Sequence, residues 1–326
     1  MATVLVTGGA GYVGSHVALK LMEAGHEVVV YDNLSTGNRG AAPGVELVEA
    51  DLADRGALDR VFRKRSYDAV LHFAASVVAP ESVQLPLMYY ANNTCVTLAL
   101  LQALFAHQIG ALVYSSTAAV YGAPDTIPVA EEAPLAPVNP YGASKMMTEG
   151  MIEDVGRTMG LRHVILRYFN VAGADPKGRT GQAADNATHL VKVVCQAALG
   201  RRPGIIIHGT DYPTPDGTGV RDYIHVDDLA QAHLLALDYL LSGGVSRVYN
   251  CGYGHGHSVR EVIHAARRVA GKSFPVEDGP RRQGDPPMLV ASCARIKAEL
   301  EWAPRHDDLD YIISTALRWE DNLSRR

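Results

Sequence analysis

The sequence predicts an α/β protein in which a doubly wound parallel sheet is followed by a smaller C-terminal α/β lobe. Two observations indicate this fold class. Short β-branched runs alternate with segments of helical period through the first half of the chain. After Asn170 the composition shifts to Gly, Ala, Asp and Pro, and helical patterns fill most of the rest. We therefore expect a first lobe over residues 1–170 and a second over 171–326, with some late elements packing back on the first.

The expected elements follow from apolar periodicity and from the residues that interrupt it. Pro140 suits the first turn of a helix, and Pro86 interrupts a helical stretch. The proline-rich segment 116–139 is too long for a plain connection, which indicates a functional loop. We expect strands at residues 4–6, 27–32, 45–49, 69–73, 111–115, 163–167 and 205–208. We expect helices at 13–22, 58–65, 82–107, 140–160, 186–199, 227–241, 258–270, 294–300 and 309–319, and a long loop at 209–223.

The composition is ordinary for a globular protein. Apolar residues make up 47% of the chain, charged residues 20%, and the net charge is −5. This balance gives no indication of a nucleic acid or an anionic membrane as partner. No apolar run approaches the ~20 residues of a membrane helix. Because strand sequence begins at once, we expect no signal peptide.

Neither the cysteines nor the histidines indicate a disulfide framework or a metal. The four cysteines are Cys95, Cys195, Cys251 and Cys293, and none forms a C-x-x-C pair. They predict reduced thiols in a cytoplasmic protein. His255 and His257 lie in a glycine-rich stretch with no third ligand nearby in the sequence, so we expect a turn there and no metal.

The chain begins with a strand-like run that leads into Gly8, Gly11 and Gly14 and then into a helical pattern. Gly8 suits a sharp turn, Gly11 lets the backbone approach a diphosphate, and Gly14 allows close helix packing. The run Glu27–Asp32 adds a second strand that ends in an acid, about twenty residues further on. A carboxylate at that place accepts both hydroxyls of an adenosine ribose and repels the 2′-phosphate of NADP. This Rossmann-type pattern predicts NAD as the cofactor.

Five positions fall at the carboxyl ends of expected parallel strands, namely Gly8, Asp32, Asp51, Phe73 and Ser115. Ligands of an open α/β sheet bind outside these ends. We therefore expect the five residues to line one crevice.

The strongest catalytic feature is the segment Tyr141-Gly-Ala-Ser-Lys145 at the start of an expected helix. A spacing of four places the tyrosine and the lysine on one helical face. A phenol is a poor base at neutral pH, but a neighbouring ammonium, helped by the cationic nicotinamide, lowers its pKa. Lys145 is also placed to hold the nicotinamide ribose. Ser115 and Thr117 end the fifth strand, and Thr117 is expected to bridge the substrate hydroxyl and Tyr141.

With these residues the chain resembles the extended short-chain dehydrogenase/reductase family, and within it the UDP-galactose (UDP-glucose) 4-epimerases. The matching segments are TGGAGYVGSH, YDNLSTGN, LHFAA, ESVQLPLMYYANN, YSSTAAVYG, YGASK, LRYFNVAGADP, GTDYPTPDGTGVRDYIHV and PRRQGDPP. The last two are the more specific, because reductases and dehydratases of this fold usually lack them in this form. The resemblance covers nearly the whole chain.

The resemblance implies a redox-neutral reaction on a UDP-hexose. Tyr141 as phenolate would take the proton of the sugar 4-hydroxyl while the C4 hydride passes to tightly held NAD. The 4-keto sugar would turn over in the site, and hydride would return to its opposite face. The family usually forms homodimers through two long helices of the first lobe, which correspond here to residues 90–107 and 141–160.

The resemblance also implies a set of binding residues. Those expected at the cofactor are Gly8, Gly11, Tyr12, Val13, Gly14, Asp32, Asn33, Leu34, Asp51, Leu52, Phe73, Ala74, Ala75, Asn93, Ser115, Tyr141, Lys145 and Tyr168. Those expected around the UDP-sugar are Thr117, Tyr141, Asn170, His189, Leu190, Ile206, His208, Arg221, Arg282 and Asp285. For the arginines there is an independent reason, because a fork-shaped guanidinium suits a diphosphate.

Three positions depart from the family pattern. Val77 stands where many relatives carry a lysine near the cofactor phosphates, and Thr117 replaces the commoner serine but keeps the hydroxyl. Leu289 stands near a position thought to control access of bulky N-acetyl sugars. A leucine there leaves UDP-N-acetylhexosamines and UDP-pentoses open as substrates.

Two other functions share the fold. A nucleotide-sugar dehydratase or decarboxylase needs an extra acid or base beside the hydroxyl residue, and here Ala118 and Ala119 follow Thr117. A non-catalytic NAD-binding protein tends to lose the tyrosine or the lysine, and both are present here. Both functions are therefore less favoured than epimerisation.

Overall fold

The computed structural model describes residues 1–184, 188–282 and 284–323. Its strands, in chain order, are β1 (Thr3–Thr7), β2 (Glu27–Asp32), β3 (Glu46–Glu49), β4 (Ala69–His72), β5 (Ala111–Thr117), β6 (Arg162–Tyr168), β7 (Asn170–Ala172), β8 (Ile205–His208), β9 (Val220–Arg221), β10 (Tyr223–His225), β11 (Arg247–Cys251), β12 (His257–Ser258), β13 (Val276–Gly279) and β14 (Met288–Leu289).

The α-helices are α1 (Tyr12–Glu23), α2 (Arg55–Lys64), α3 (Ala79–Gln84), α4 (Pro86–Tyr89), α5 (Val96–Ala106), α6 (Pro140–Met159), α7 (Leu190–Ala198), α8 (Val226–Leu241), α9 (Val259–Ala270), α10 (Ala294–Glu299) and α11 (Leu309–Leu323). A π-helix (Tyr90–Cys95) precedes α5, and a 3₁₀-helix (Ala118–Tyr121) follows β5. Among the helices of the described ranges, none is long and apolar enough to cross a bilayer.

Seven strands form one parallel sheet in the order β3-β2-β1-β4-β5-β6-β11. The strand order reverses beside β1, which pairs with β2 on one side and with β4 on the other. At such a switch point the connections after neighbouring strands diverge to opposite faces, and a crevice opens outside the carboxyl ends. The doubly wound α/β fold predicted from the sequence is confirmed.

Helices cover both faces of this sheet, as the side chains of β1 show. Val4 and Val6 belong to a core that is shared with α1 and α8, whereas Leu5 belongs to a second core shared with α2 and α5. Because successive strand residues point to opposite faces, a strand that is buried on both sides needs apolar residues throughout. This explains the unbroken apolar run at the start of the chain.

Several elements from the second half of the chain return to the sheet. β11 pairs with β6, with Val248 opposite Ile165, and α8 packs against α1. The remaining short strands form small sheets in which β7 pairs with β10, β9 lies between β12 and β14, and β8 pairs with β13. The boundary expected at residue 170 stays a prediction, because β11 and α8, which follow that residue, pack against β6 and α1, which precede it.

The structure also differs locally from the expected elements. The loop expected at 209–223 contains β9, and the helix expected at 186–199 begins at Leu190. Residue 186 lies outside the described residues, as does Gln283 of the PRRQGDPP segment. The interruption expected at Pro86 is confirmed: the helical stretch 82–107 is broken at Leu85, because the proline ring disfavours helical backbone in the preceding residue.

Candidate active site and its crevice

The turn after β1 needs glycine at two positions. Gly8 has φ +71°, and a Cβ there would lie 2.4 Å from the backbone N of Ala74. A Cβ on Gly14 would lie 2.3 Å from the carbonyl oxygen of Gly8. The turn is closed by a hydrogen bond in which Gly11 N donates to Gly8 O at 3.1 Å. The glycines therefore allow the backbone of the turn to pack closely before α1 begins.

The start of α1 can receive an anion. Gly11 is the residue before the helix and offers no side-chain cap, and the first turn contains no acidic residue. The first N–H groups of a helix lack partners within the helix and carry the positive end of its dipole. The start of α1 thus fits a diphosphate group.

Asp32 is held at the end of β2 by the turn that follows β1. Ala10 N donates to Asp32 Oδ2 at 3.0 Å, and Leu34 N donates to Asp32 Oδ1 at 2.8 Å. The side chain is buried, but each carboxylate oxygen accepts more than one hydrogen bond. The remaining acceptor positions fit the two hydroxyls of a ribose.

Asn33 and Asp51 form the next part of the crevice. Asn33 Nδ2 donates to Asp51 Oδ2 at 2.8 Å, and Ala53 N donates to Asp51 Oδ1 at 2.7 Å. The neighbouring Leu52 is buried, whereas Asn33 and Asp51 are exposed. An apolar floor beside two polar groups suits the adenine end of a dinucleotide.

Residues after β4 form the opposite side of the crevice. Asn93, in the π-helix, receives Ser76 N on its Oδ1 at 2.8 Å and donates from Nδ2 to Ser76 O at 3.0 Å. The same Nδ2 donates to Ser144 Oγ on α6 at 3.0 Å. Asn93 therefore ties the segment containing Phe73, Ala74 and Ala75 to the helix that carries Tyr141. π-Helical turns often occur at functional sites.

Tyr141, Lys145 and Thr117 meet at the junction of α6 and β5. α6 is capped by Asn139, whose side chain accepts from Gly142 N at 2.9 Å. Tyr141 and Lys145 are both buried, and Lys145 Nζ donates to the carbonyl oxygen of Ser115 at 2.9 Å. The expected juxtaposition of these residues is present in the structure.

Burial changes the acid–base properties of this group. Burial raises the pKa of the Tyr141 phenol, and the neighbouring Thr117 hydroxyl lowers it again. Burial lowers the pKa of Lys145 to about 7, against the opposing effect of the Glu149 carboxylate. The lysine therefore changes charge close to neutral pH, which is the range in which a proton-transfer site works.

Tyr12 and Tyr168 connect the crevice to the second half of the chain. Ser115 Oγ donates to Tyr168 OH at 2.8 Å, and Tyr12 OH donates to Gly173 O at 2.6 Å. Val13, next in α1, is half-buried against the core. His189 precedes α7 and lines a cleft together with Tyr12, and Leu190 is the first residue of that helix.

A second cluster of predicted binding residues lies on β8, β9 and the segment before β14. Arg221 Nη2 donates to the Asp285 carboxylate and, at 2.8 Å, to Pro286 O. Partial burial lowers the pKa of His208, and the nearby Arg282 charge lowers it further. Arg282 is exposed, whereas the Arg221 side chain is 13% exposed. Ile206, on β8, is 54% exposed and has its side chain in solvent.

Asn170 connects the crevice residue Tyr168, two positions earlier, to the segment that carries Arg221. It lies at the start of β7, directly opposite Tyr223 of β10, and its backbone N donates to Asp222 O at 2.9 Å.

Of the positions that depart from the family pattern, Val77 is exposed and brings no charge to the crevice. Leu289 is buried opposite Arg221 in the pairing of β14 with β9.

The cysteines and the glycine-rich histidines are not among the crevice groups described above, although Cys251 is the register partner of Tyr168. Cys95 is exposed on the π-helix, the other three cysteines are buried, and all four are free thiols. His255 Nε2 contacts Asp307 Oδ1 at 2.8 Å, and its ring lies 5.4 Å from that of His257. Within the described ranges, no group of three or more metal-ligand side chains could hold an ion.

Several polar residues of the site were missed by the sequence analysis. Ser76 and Ser144 hold Asn93, while Glu149 and Arg167 form a buried ion pair next to Lys145. Ser144 and Glu149 follow Tyr141 by three and eight residues and so lie on its side of α6. Their helical spacing was the available signal.

The residues present fit a dinucleotide with an unphosphorylated ribose. Gly8, Gly11 and Gly14 keep side chains off the turn, the first N–H groups of α1 have no side-chain cap, and Asp32 adds a fixed carboxylate. The buried Tyr141–Lys145 pair lies further along the same crevice.

The chain belongs to the NAD dependent epimerase/dehydratase family, whose model matches residues 4–252. Within that family it is 58% identical over 323 residues to a UDP-glucose 4-epimerase of Azospirillum brasilense, covering 99% of this chain and 93% of the relative. The resemblance inferred from the motifs is confirmed.

Solved structures agree with the sequence comparison. A UDP-glucose 4-epimerase of Brucella ovis in complex with NAD has a TM-score of 0.95 and 43% identity, over 98% of this chain and 99% of its own. A UDP-glucose 4-epimerase of Stenotrophomonas maltophila, with bound NAD and formylated UDP-arabinopyranose, has a TM-score of 0.96 and 39% identity, over 100% and 99% of the two chains. The prediction of an NAD-dependent isomerase is confirmed at the level of the family.

Proposed function

We propose that this chain catalyses the reversible C4 epimerisation of a UDP-hexose, interconverting UDP-galactose and UDP-glucose. The observation that carries the proposal is the buried group of Tyr141, Lys145 and Thr117 beside a crevice that fits NAD. The epimerases of similar sequence support the same reaction.

NAD, when bound, would accept the hydride of the sugar C4 and later return it, so that no external reductant is consumed. We assign the diphosphate to the glycine turn and the start of α1, and the adenosine ribose to Asp32. Asn33, Leu34, Asp51 and Leu52 would surround the adenosine half. Phe73, Ala74, Ala75, Asn93 and Tyr168 would contact the nicotinamide half, with Lys145 on its ribose.

Side chains of the protein carry out the proton transfer to and from the sugar 4-hydroxyl. Tyr141 as phenolate takes the proton from the 4-hydroxyl, and the hydroxyl of Thr117 bridges the two oxygens. A charged Lys145 stabilises the phenolate, which burial alone disfavours. Tyr141 returns the proton when the 4-keto sugar is reduced on its other face, so the protein ends unchanged.

The UDP moiety is assigned to the second cluster. Arg221 and Arg282 present guanidinium groups that match diphosphate oxygens, and Asp285 orients Arg221 through their ion pair. The remaining contacts are assigned to Asn170, His189, Leu190, Ile206 and His208. The exposed face of Ile206 offers apolar surface to a flat uracil ring.

The sugar itself is the least constrained part of the proposal. Leu289 is buried beside Arg221 and is smaller than the large tyrosine found in some relatives. UDP-N-acetylhexosamines and UDP-pentoses therefore remain alternative substrates, the latter also because a similar epimerase was crystallised with a UDP-arabinopyranose derivative.

We further propose a homodimer formed by α5 and α6. Leu98 and Phe105 on α5, and Met147 on α6, have 43%, 59% and 47% of their surface exposed. Apolar exposure along two neighbouring helices is typical of a face that a second copy covers. The free thiols support a reducing compartment, and we propose the cytoplasm.

Product analysis tests the proposed reaction. The purified chain, loaded with NAD, is incubated with UDP-galactose without added reductant, and the products are separated by chromatography. We expect UDP-glucose, and parallel reactions with UDP-N-acetylgalactosamine and UDP-arabinose rank the sugars. A 4-keto-6-deoxy or decarboxylated product would instead identify a dehydratase or a decarboxylase, and no conversion with NAD bound would overturn the assignment.

A further inference from the structure

Glu149 is a buried carboxylate on the same face of α6 as the catalytic pair. It follows Tyr141 by eight residues and Lys145 by four, so the three side chains project toward the same side. Its side chain is only 2% exposed. A carboxylate so deeply buried needs compensating donors, and the structure supplies two of them.

The two donors come from neighbouring strands. Ser116 Oγ of β5 donates to Glu149 Oε1, and Arg167 of β6 donates from Nη2 to Oε2 at 2.6 Å and from Nε to Oε2 at 3.0 Å. Ser116 and Arg167 are direct partners in the register of β5 and β6. The Glu149 carboxylate therefore joins α6 to both strands at their carboxyl ends.

Ser116 stands between the two residues of β5 that serve the reaction. The carbonyl of Ser115 accepts the hydrogen bond from Lys145 Nζ, and Thr117 places its hydroxyl beside Tyr141. A displacement of Ser116 thus moves the partners of both catalytic side chains.

We propose that Glu149 is a positioning residue that holds the Ser115–Thr117 strand end against α6 and keeps the Lys145 amine charged. The second role rests on the proposed function, in which the ammonium stabilises the Tyr141 phenolate. No step of the reaction assigns an atom of substrate or cofactor to Glu149.

The groups around Lys145 leave this role to Glu149. The Lys145 amine lies 4.8 Å from the centre of the Tyr114 ring on β5, and His72 on β4 is near enough for the lysine charge to act on it. Burial lowers the pKa of His72 to about 3, so this ring is neutral near pH 7. Tyr141 is uncharged until it loses its proton. The carboxylate of Glu149 is the group that opposes the effect of burial on Lys145.

Two substitutions separate the roles. Glu149→Gln removes the negative charge and keeps an oxygen for Ser116, whereas Ser116→Ala removes the hydrogen bond and keeps the charge. Glu131→Gln is the matched control, because Glu131 is also buried and accepts from Asn250 N at 2.9 Å. Its side chain is not among the groups that influence Lys145.

The first readout is the NMR titration of the Lys145 Cε in the cofactor-free protein, assigned with Lys145→Met. We expect Glu149→Gln to move this titration to lower pH by about one unit, a tenfold change in the protonation equilibrium. Ser116→Ala and Glu131→Gln leave it in place. An unchanged titration in Glu149→Gln overturns the charge role, and it does so whether or not the chain is an epimerase.

The second readout is the pH profile of kcat in the NAD-loaded enzyme with UDP-galactose. In Glu149→Gln the alkaline limb moves to lower pH, so kcat falls about tenfold near pH 9 and less near pH 6. In Ser116→Ala kcat falls at every pH while KM changes little, and in Glu131→Gln both stay as in the parent. Parent-like kcat in Ser116→Ala overturns the positioning role. If the unpaired Arg167 prevents Glu149→Gln from folding, Glu149→Gln with Arg167→Gln must give the same alkaline shift.

Discussion

Tyr141 is the residue on which the proposed reaction depends most directly. Tyr141→Phe keeps the buried ring and removes the hydroxyl that exchanges the proton. Since positioned acid–base groups contribute about 10²–10⁴-fold, we expect kcat to fall by that factor, with NAD still bound. Steady-state kinetics and cofactor absorbance measure the two effects. Tyr67→Phe, in the second core, is the control, and turnover in Tyr141→Phe equal to that of this control would disprove the assignment.

Asp32 determines the choice of cofactor in the proposed site. Asp32→Asn keeps the shape of the side chain and removes the charge that would bind the ribose hydroxyls. Hydrogen bonds to charged groups contribute about 1.5–3 kcal/mol, so we expect NAD to bind roughly 10- to 150-fold more weakly and NADP to be excluded less strictly. Calorimetric titration measures both. Asp68→Asn is a suitable control, because Asp68 also accepts a backbone N–H, from Thr3 at 2.7 Å, before β4. Equal NAD affinity in the two variants would contradict the assignment.

At the residue scale, sequence reasoning found groups whose spacing is local. Tyr141 and Lys145 are four residues apart on one helix, and their proximity needs only helical geometry. Ser116 and Arg167 are 51 positions apart and meet because β5 and β6 pair in one register. Glu149 contacts both of them. Its helical spacing from Lys145 is a local signal, but its contacts with Ser116 and Arg167 depend on that register.

The turn between β1 and α1 has little room for a larger residue. Gly14→Ala would place a Cβ 2.3 Å from the carbonyl oxygen of Gly8, which the backbone can relieve only by moving. Overpacking of this kind costs about 1–3 kcal/mol, and here it also displaces the N–H groups assigned to the diphosphate. We expect lower stability in urea and loss of NAD binding.

Gly110→Ala is the control for that change, because a Cβ there meets no atom within 4 Å. It should leave both the urea midpoint and NAD binding unchanged. If Gly14→Ala binds NAD as this control does, the turn is not the diphosphate site.

Among the elements, length and pairing distance determine what sequence reasoning can find. The strands of the seven-stranded sheet up to β6 are apolar runs bounded by turns, and each was expected. β9, β12 and β14 have two residues each and pair with partners far along the chain. Two residues carry no periodic pattern, so their structure depends on tertiary contacts alone.

The α5 and α6 face bears on the assembly of the whole molecule. Leu98→Glu places a charge at a position that is exposed in the single chain and would be buried in the proposed dimer. We expect a sedimenting monomer at micromolar concentration, with its fold retained by circular dichroism. Val245→Glu, at a residue 54% exposed outside α5 and α6, should leave the dimer intact. A parent protein that already sediments as a monomer would refute the proposal.

The stability of the whole molecule should depend on pH through four buried histidines. Burial lowers the pKa of His16 and His233 to about 4, and of His72 and His225 to about 3. In the unfolded chain these histidines bind protons near pH 6.5, whereas in the folded chain they stay neutral there. The free energy of unfolding therefore falls as the pH drops below that value. With four such groups the loss reaches up to about 5 kcal/mol per pH unit.

Urea unfolding at fixed protein concentration, between about pH 7.5 and pH 5, measures this slope. His233→Gln should reduce this slope by the equivalent of about one proton, since a neutral amide replaces a side chain that binds a proton only in the unfolded chain. His264→Gln changes an exposed histidine on α9 and should leave the slope as it is. A free energy of unfolding that stays constant over this range would show that the folded protein accepts these protons. The buried rings would then have to move into water as the pH falls.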